Sequence, residues 1–127
     1  MIVNVPKDLL FTDEHEWVKI DDNIATIGIT DYAQSELGDI VFIEFPSLNS
    51  NYNKGESMGT IEAVKTVADI FMPISGQIIE LNDVLNDNPE TVNNNPFNDG
   101  WILKLQIKDM GEVSELMDSK KYKTFIS

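Results

Sequence analysis

Short runs of alternating or near-continuous apolar residues, each ended by turn-forming residues, recur along this chain at spacings suited to β-strands. His15 to Ile20 and Ile24 to Ile29 make the first pair, with Asp21-Asp22-Asn23 as the turn between them. Ile40 to Phe45 (Ile-Val-Phe-Ile-Glu-Phe) is almost wholly apolar and stops at Pro46, which cannot donate to a ladder. Ser57 to Val64 and Val67 to Met72 flank Lys65, and Gln77 to Leu81 and Trp101 to Ile107 complete the set. In the last of these, Lys104 and Gln106 fall on the face opposite Leu103, Leu105 and Ile107. Two helical regions interrupt the strands. Thr30 is a good N-cap for a short helix through Leu37, with Gly38 as the residue that ends it. Near the C-terminus, Ser114 or Ser119 is expected to cap one or two short helices running towards Phe125. Lys120, Lys121 and Lys123 come late in that segment, where a helix dipole favours cations. The pattern predicts a mainly β sandwich or barrel with peripheral helices.

Asn86 to Gly100 breaks the pattern, being rich in Asn, Asp and Pro, and a loop of that length is usually functional or disordered. No linker and no solenoid-type repeat divides the chain. One domain over residues 1–127 is expected, with a β core at about 10–110 and C-terminal helices at about 112–126. No apolar run approaches the ~18 residues of a spanning helix. Met1 to Phe11 lacks the basic start and apolar stretch of a secretory signal, since Lys7-Asp8 interrupts it. All nine basic residues are lysines, so an arginine-rich transit peptide is not expected. The expectation is a cytoplasmic, monomeric protein with no membrane partner.

Composition removes several function classes. With no cysteine, disulfides, thiolate metal sites and a cysteine nucleophile are all excluded, and any thiol chemistry must come from an attached group. A net charge of −13 argues against a nucleic-acid partner, because such affinity rests on cations placed against phosphates. The acidic surface either confers solubility or steers the chain to basic partners, and both can hold. His15 is the only histidine, which disfavours a histidine metal site; an ordinary surface or packing histidine is expected there. No Gly-x-Ser-x-Gly elbow, phosphate-binding loop or dinucleotide turn is present. With 22 acidic residues, no pair of carboxylates stands out. The chain is expected to be a non-enzyme.

Gly59 to Gly76 places one lysine between two β-prone apolar runs, with Pro73 and Gly76 closing the second. This permits a hairpin with Lys65 near its tip, although Val64-Lys65 lacks the Asn-Gly or Asp-Gly of tight hairpin turns. Pattern alone leaves Lys65 an ordinary exposed lysine. However, Glu62-Ala63-Val64-Lys65 followed by Pro73-Ile74-Ser75-Gly76 resembles the modification motif of biotinyl and lipoyl carrier domains. His15-Glu16-Trp17-Val18, Ile27 through Gln34, and Leu37-Gly38-Asp39-Ile40-Val41 resemble the glycine cleavage H-protein family specifically. So do Asp87-Asn88-Pro89 through Val92-Asn93, then Pro96 and Gly100-Trp101, and the likeness runs from about Leu10 to the C-terminus. Val64 and Thr66 flank the lysine where biotin carriers typically have Met, which favours lipoate over biotin.

The resemblance implies a lipoyl-domain-like β-sandwich (a barrel-sandwich hybrid) with lipoate joined to Lys65 as an amide. Glu62, Ala63 and Val64 are then the residues read by a lipoate ligase or a lipoyl/octanoyl transferase; position 63 is Ala where the family often has Ser. Amide formation removes one positive charge, taking the formal net from −13 to −13 − 1 = −14. The implied role is a shuttle that takes an aminomethyl group from a pyridoxal-phosphate glycine decarboxylase to a tetrahydrofolate-dependent aminomethyltransferase. Dihydrolipoamide dehydrogenase then reoxidises the arm. Glu16 and Asp69, with Glu14 beside them, match cleft residues that shelter the loaded arm, against the alternative of solvent-facing strand carboxylates. Two rival readings share the fold: a lipoyl-relay carrier serving 2-oxoacid dehydrogenases, and an unmodified acidic interaction protein.

Overall fold

The computed structural model describes residues 3–127. Met1 and Ile2, part of the segment read for targeting signals, lie outside the described residues. Among the described residues, nine strands form two antiparallel sheets. Strands β1 (Leu10–Phe11), β2 (Glu16–Asp21), β3 (Ile24–Ile29), β5 (Asn51–Tyr52), β8 (Gly76–Leu81) and β9 (Leu103–Ile107) make the larger, in the order β1-β2-β3-β9-β8-β5. Strands β4 (Ile40–Glu44), β6 (Ser57–Ala63) and β7 (Val67–Phe71) make the smaller, in the order β4-β6-β7.

Alternation drives the assembly. Val18, Ala25, Ile27, Leu103, Leu105 and Ile78 from the larger sheet are fully buried beside Ile43, Ile61 and Ile70 from the smaller, in one apolar cluster. Burying each such side chain is worth roughly 1.5–3 kcal/mol. A second cluster of Val5, Leu9, Phe11, Trp17 and Tyr122 attaches the chain ends to β1 and β2. Trp17 pairs with Gly28 across β2 and β3, and its indole lies where a Cβ at position 28 would sit. Its ring N–H donates to the Pro96 carbonyl at 2.9 Å, which pins the Asn-rich loop to the larger sheet.

Helix α1 (Asp31–Leu37) starts and stops where the sequence predicts. The Thr30 hydroxyl accepts from Ala33 N, and Gly38 ends the helix at φ 78° with its N–H donating to Gln34 O. Other boundaries differ. Residues 86–100 are not an open loop: α2 (Val84–Asp87) and α3 (Thr91–Asn94) are single helical turns, anchored by buried Leu85 and Val92. The last strand begins at Leu103 rather than Trp101, whose N–H turns back to Asn98 O. Neither Ser114 nor Ser119 is a cap. Asp109 caps a 3-10 turn (Met110–Glu115), and Asp118 caps α4 (Ser119–Ile126) by accepting from Lys121 N at 2.8 Å. Ser114 lies inside the 3-10 turn, where its hydroxyl donates to Gly111 O. Because α4 starts this late, Lys120 and Lys121 occupy its first turn and only Lys123 reaches the last.

Candidate functional site

Lys65 stands at the tip of the β6–β7 hairpin. Ala63 N donates to Thr66 O at 2.8 Å, and Glu62 pairs with Val67, so Val64 and Lys65 form the turn. Among the described residues, the non-glycine positions with positive φ are His15, Asp22 and Asn49. The tip therefore needs no left-handed residue, which explains the missing Asn-Gly signal. Val64, Lys65 and Thr66 are all exposed, and Val64 N donates to Asp39 O at 3.0 Å, steadying the tip against the start of β4. Among the described residues, the two ion pairs are Lys54–Glu115 and Lys104–Glu80, and neither involves Lys65. Glu62 is exposed on the outer face of β6, whereas Ala63 is buried on the inner face opposite Ile40.

Strand β7 leads from this tip to a cleft of about 350 Å³. At about 3.3 Å per residue, Asp69 lies about 13 Å along the strand from Lys65. One wall is the free edge of β7 with Ala68, Asp69 and Phe71, and Ile61 lies behind it. The other wall is α1, through Tyr32, Ala33, Glu36 and Leu37, with Ile29 and the turn Glu14-His15-Glu16 at the end. Helix α1 has no fully buried residue, so packing alone does not hold this wall. Asn93 holds it instead: its amide donates to Gln34 Oε1 and Gly38 O, and its carbonyl oxygen accepts from Ile40 N. In the sequence it belongs to the stretch through Val92-Asn93 that resembles the family, but nothing local announces this bonding.

Glu16 is not a solvent-facing carboxylate. It is 2% exposed, accepts from Phe71 N at 3.0 Å, and accepts from the Thr12 hydroxyl at 2.9 Å. It thus satisfies a backbone N–H on the open edge of the smaller sheet from a residue of the larger one. Burial pushes its carboxyl up to about 8, with the Phe71 and Thr12 hydrogen bonds opposing. Asp69 differs, being exposed and accepting from the Ser57 hydroxyl at 3.2 Å. Glu14 is exposed at the rim, with its N–H donating to Thr12 Oγ1.

His15 takes φ 65° in the turn between them, with Nδ1 2.9 Å from the Tyr122 hydroxyl. Its ring packs on Tyr32 at 4.7 Å between centroids, so it joins the cleft wall to the C-terminal helix. Burial lowers its pKa from the usual value, against the raising influence of Glu14, Asp13 and Glu36. Tyr122 also meets Thr30 Oγ1 at 2.7 Å and stacks on Phe11 at 4.6 Å.

The site is thus an exposed amine beside a cleft with an apolar lining and a carboxylate rim. Ile29, Ala33, Leu37, Ile61 and Ala68 suit a hydrocarbon arm, and Glu14, Glu36 and Asp69 suit a cationic end. The structure brings Glu16 and Asp69 to one cleft and leaves Lys65 outside it at the head of β7.

The glycine cleavage H-protein family model matches residues 9–127. A glycine cleavage system H protein from Listeria monocytogenes serotype 4a is 50% identical over 120 residues, covering 94% of this chain and 96% of that one. One from Bacteroides thetaiotaomicron is 44% identical over 125 residues, covering 98% and 99% respectively. The crystal structure of a glycine cleavage system H protein from Mycobacterium marinum superposes with a TM-score of 0.88 at 36% identity. It covers 94% of this chain and 97% of that chain.

Proposed function

Because this chain belongs to the glycine cleavage H-protein family, we propose that Lys65 is its lipoyl attachment site and that the adjoining cleft houses the arm. The chain is a lipoate-carrying shuttle of the glycine cleavage system. When bound, the lipoyl group supplies a dithiolane whose sulfurs accept a one-carbon amine fragment and electrons, chemistry absent from a cysteine-free chain.

Lys65 does its part by position. A three-stranded sheet holds its amine outside the fold, where an acylating enzyme can surround it and remove its proton. Glu62, Ala63 and Val64 present the strand leading into it to a lipoate ligase or a lipoyl/octanoyl transferase, Glu62 and Val64 by exposure and Ala63 by keeping the tip seated on Ile40. The apolar cleft wall takes the arm out of water. Asp69 receives a cationic end as the freer carboxylate, and Glu16 lines the cleft by fixing the β7 edge from beneath. A sheltered amine is less open to attack by water, and tethering gives each transfer a high effective concentration.

The partners in this reading are glycine decarboxylase, the tetrahydrofolate-dependent aminomethyltransferase and dihydrolipoamide dehydrogenase. The chain acts as one domain, a monomeric cytoplasmic carrier, and itself catalyses nothing. The observation that carries the reading is an exposed lysine without an ion pair at the head of the strand that forms the cleft wall. The test is reconstitution with those three enzymes and this chain as the only carrier. The lipoylated chain is expected to support glycine-dependent turnover, and Lys65→Arg put through the same lipoylation to support none. Equal turnover from the two would contradict the assignment.

A further inference from the structure

On the outer face of the smaller sheet, cross-strand pairing sets Phe42, Glu62 and Val67 in one row, since Phe42 pairs with Glu62 and Glu62 with Val67. The next row on that face is Glu44, Thr60 and Asp69. Phe42 reaches this face only because of an irregularity. Residues two apart on a strand share a face, so Phe42 would follow buried Ile40 into the core. The register shift between Ile40 and Phe42 inserts Val41 as an extra residue and turns Phe42 outwards. As a result Val41 is 52% exposed and Phe42 48%, while Ile43 returns to the core at 3%. Val67 is 59% exposed and Val64, at the tip, 71%. Among the described residues, four of the nine exposed large hydrophobic residues thus lie on this face or at the tip that carries Lys65.

We propose that this face, Phe42 and Val67 on either side of Glu62 with Val41 and Val64 beside them, is the docking surface for the enzyme that acylates Lys65. The inference rests on the assignment of Lys65 above. Reach selects this occupant. An acylating enzyme must bring its reacting carbon to bonding distance of the lysine amine, so it has to close on the hairpin itself. Enzymes that act at the far end of the finished arm can stay clear of the sheet. Charge defines the partner's surface: Glu44, Glu62 and Asp69 share the face, so its complement is an apolar mouth with lysine or arginine at the rim.

The test follows acylation of the full chain by purified lipoate ligase with ATP and lipoate, reading initial rates by intact mass across carrier concentrations. For Phe42→Ser/Val67→Ser, KM is expected to rise about tenfold or more while kcat at saturating carrier stays within about twofold. Leu48→Ser, at a residue 53% exposed outside this face, is expected to leave both unchanged. Glu44→Gln is expected to weaken the dependence of KM on salt. Should the double variant misfold, Val64→Asp, outside any strand, carries the same expectation of a raised KM. Acylation of wild type with an unchanged KM in Phe42→Ser/Val67→Ser would overturn the docking surface and leave Lys65 assigned. Failure to acylate wild type under conditions that modify another acceptor would overturn both.

Discussion

Glu16 shows how far a side chain's surroundings change its chemistry. A carboxyl whose folded pKa is raised is favoured in its neutral form, so folding binds a proton more tightly there. Its contribution to stability is fully present below the unfolded value near 4.5 and is lost as pH rises through about 8. The loss is on the order of a few kcal/mol across that window. Glu16→Gln removes the ionisation and keeps an oxygen to accept from Phe71 N. The difference in Tm between Glu16→Gln and wild type is therefore expected to move in favour of the variant from pH 5 to pH 8. A constant difference would mean that Glu16 titrates normally. His15 is common to both proteins, so its own lowered pKa cancels in the comparison. Asp69 and Glu16 separate in a second measurement, the decay of the amine-loaded arm followed by mass. Asp69→Asn is expected to speed the decay with Tm nearly unchanged. Glu16→Ala is expected to leave lipoylation intact, speed the decay and lower Tm, because Phe71 N then loses its partner.

Among the elements, the cleft owes its shape to contacts that no periodicity encodes. Asn93 carries three hydrogen bonds to the end of α1 and the start of β4. Asn93→Ala is expected to cost about 1–3 kcal/mol in denaturant unfolding and to raise hydrogen exchange first at Ile40 N. A loss spread evenly over the fold would contradict a local role. The strands with clear alternation, β2, β3 and β9, and helix α1 with its Thr30 cap, were legible because their signals are local. Two-residue strands β1 and β5 were not, since pairing across the sheet rather than propensity creates them. Residues 40–45 read as an almost continuously apolar strand, and no local feature of Ile-Val-Phe-Ile announces a register shift. The C-terminal caps were misread because Ser and Asp compete for one role, and Asp109 and Asp118 hold the backbone N–H groups. Lys65 was singled out by resemblance and not by turn chemistry. The burial of Glu16 was invisible because the β7 edge it meets through Phe71 is brought there by tertiary structure.

For the molecule as a whole, the C-terminal helix packs against the same region that forms the cleft. Tyr122 ties α4 to His15, Thr30 and Phe11, so the C-terminal helix bears on the cap of α1 and on the turn carrying Glu14 and Glu16. Tyr122→Phe keeps the stack and removes the hydroxyl. It is expected to lower stability by about 1–3 kcal/mol and to shift the His15 resonances, with the β core retained. Lysine acylation adds to the acidity of a carrier already at −13, which favours encounter with basic surfaces and makes its rates sensitive to salt. The most direct measurement is the mass of the intact protein, with peptide mapping, after incubation with lipoate ligase, ATP and lipoate, beside Lys65→Arg. The account predicts a gain of one lipoyl amide, mapped to Lys65 and absent from the variant. No gain where another acceptor is modified, or a gain that persists in Lys65→Arg, would contradict it.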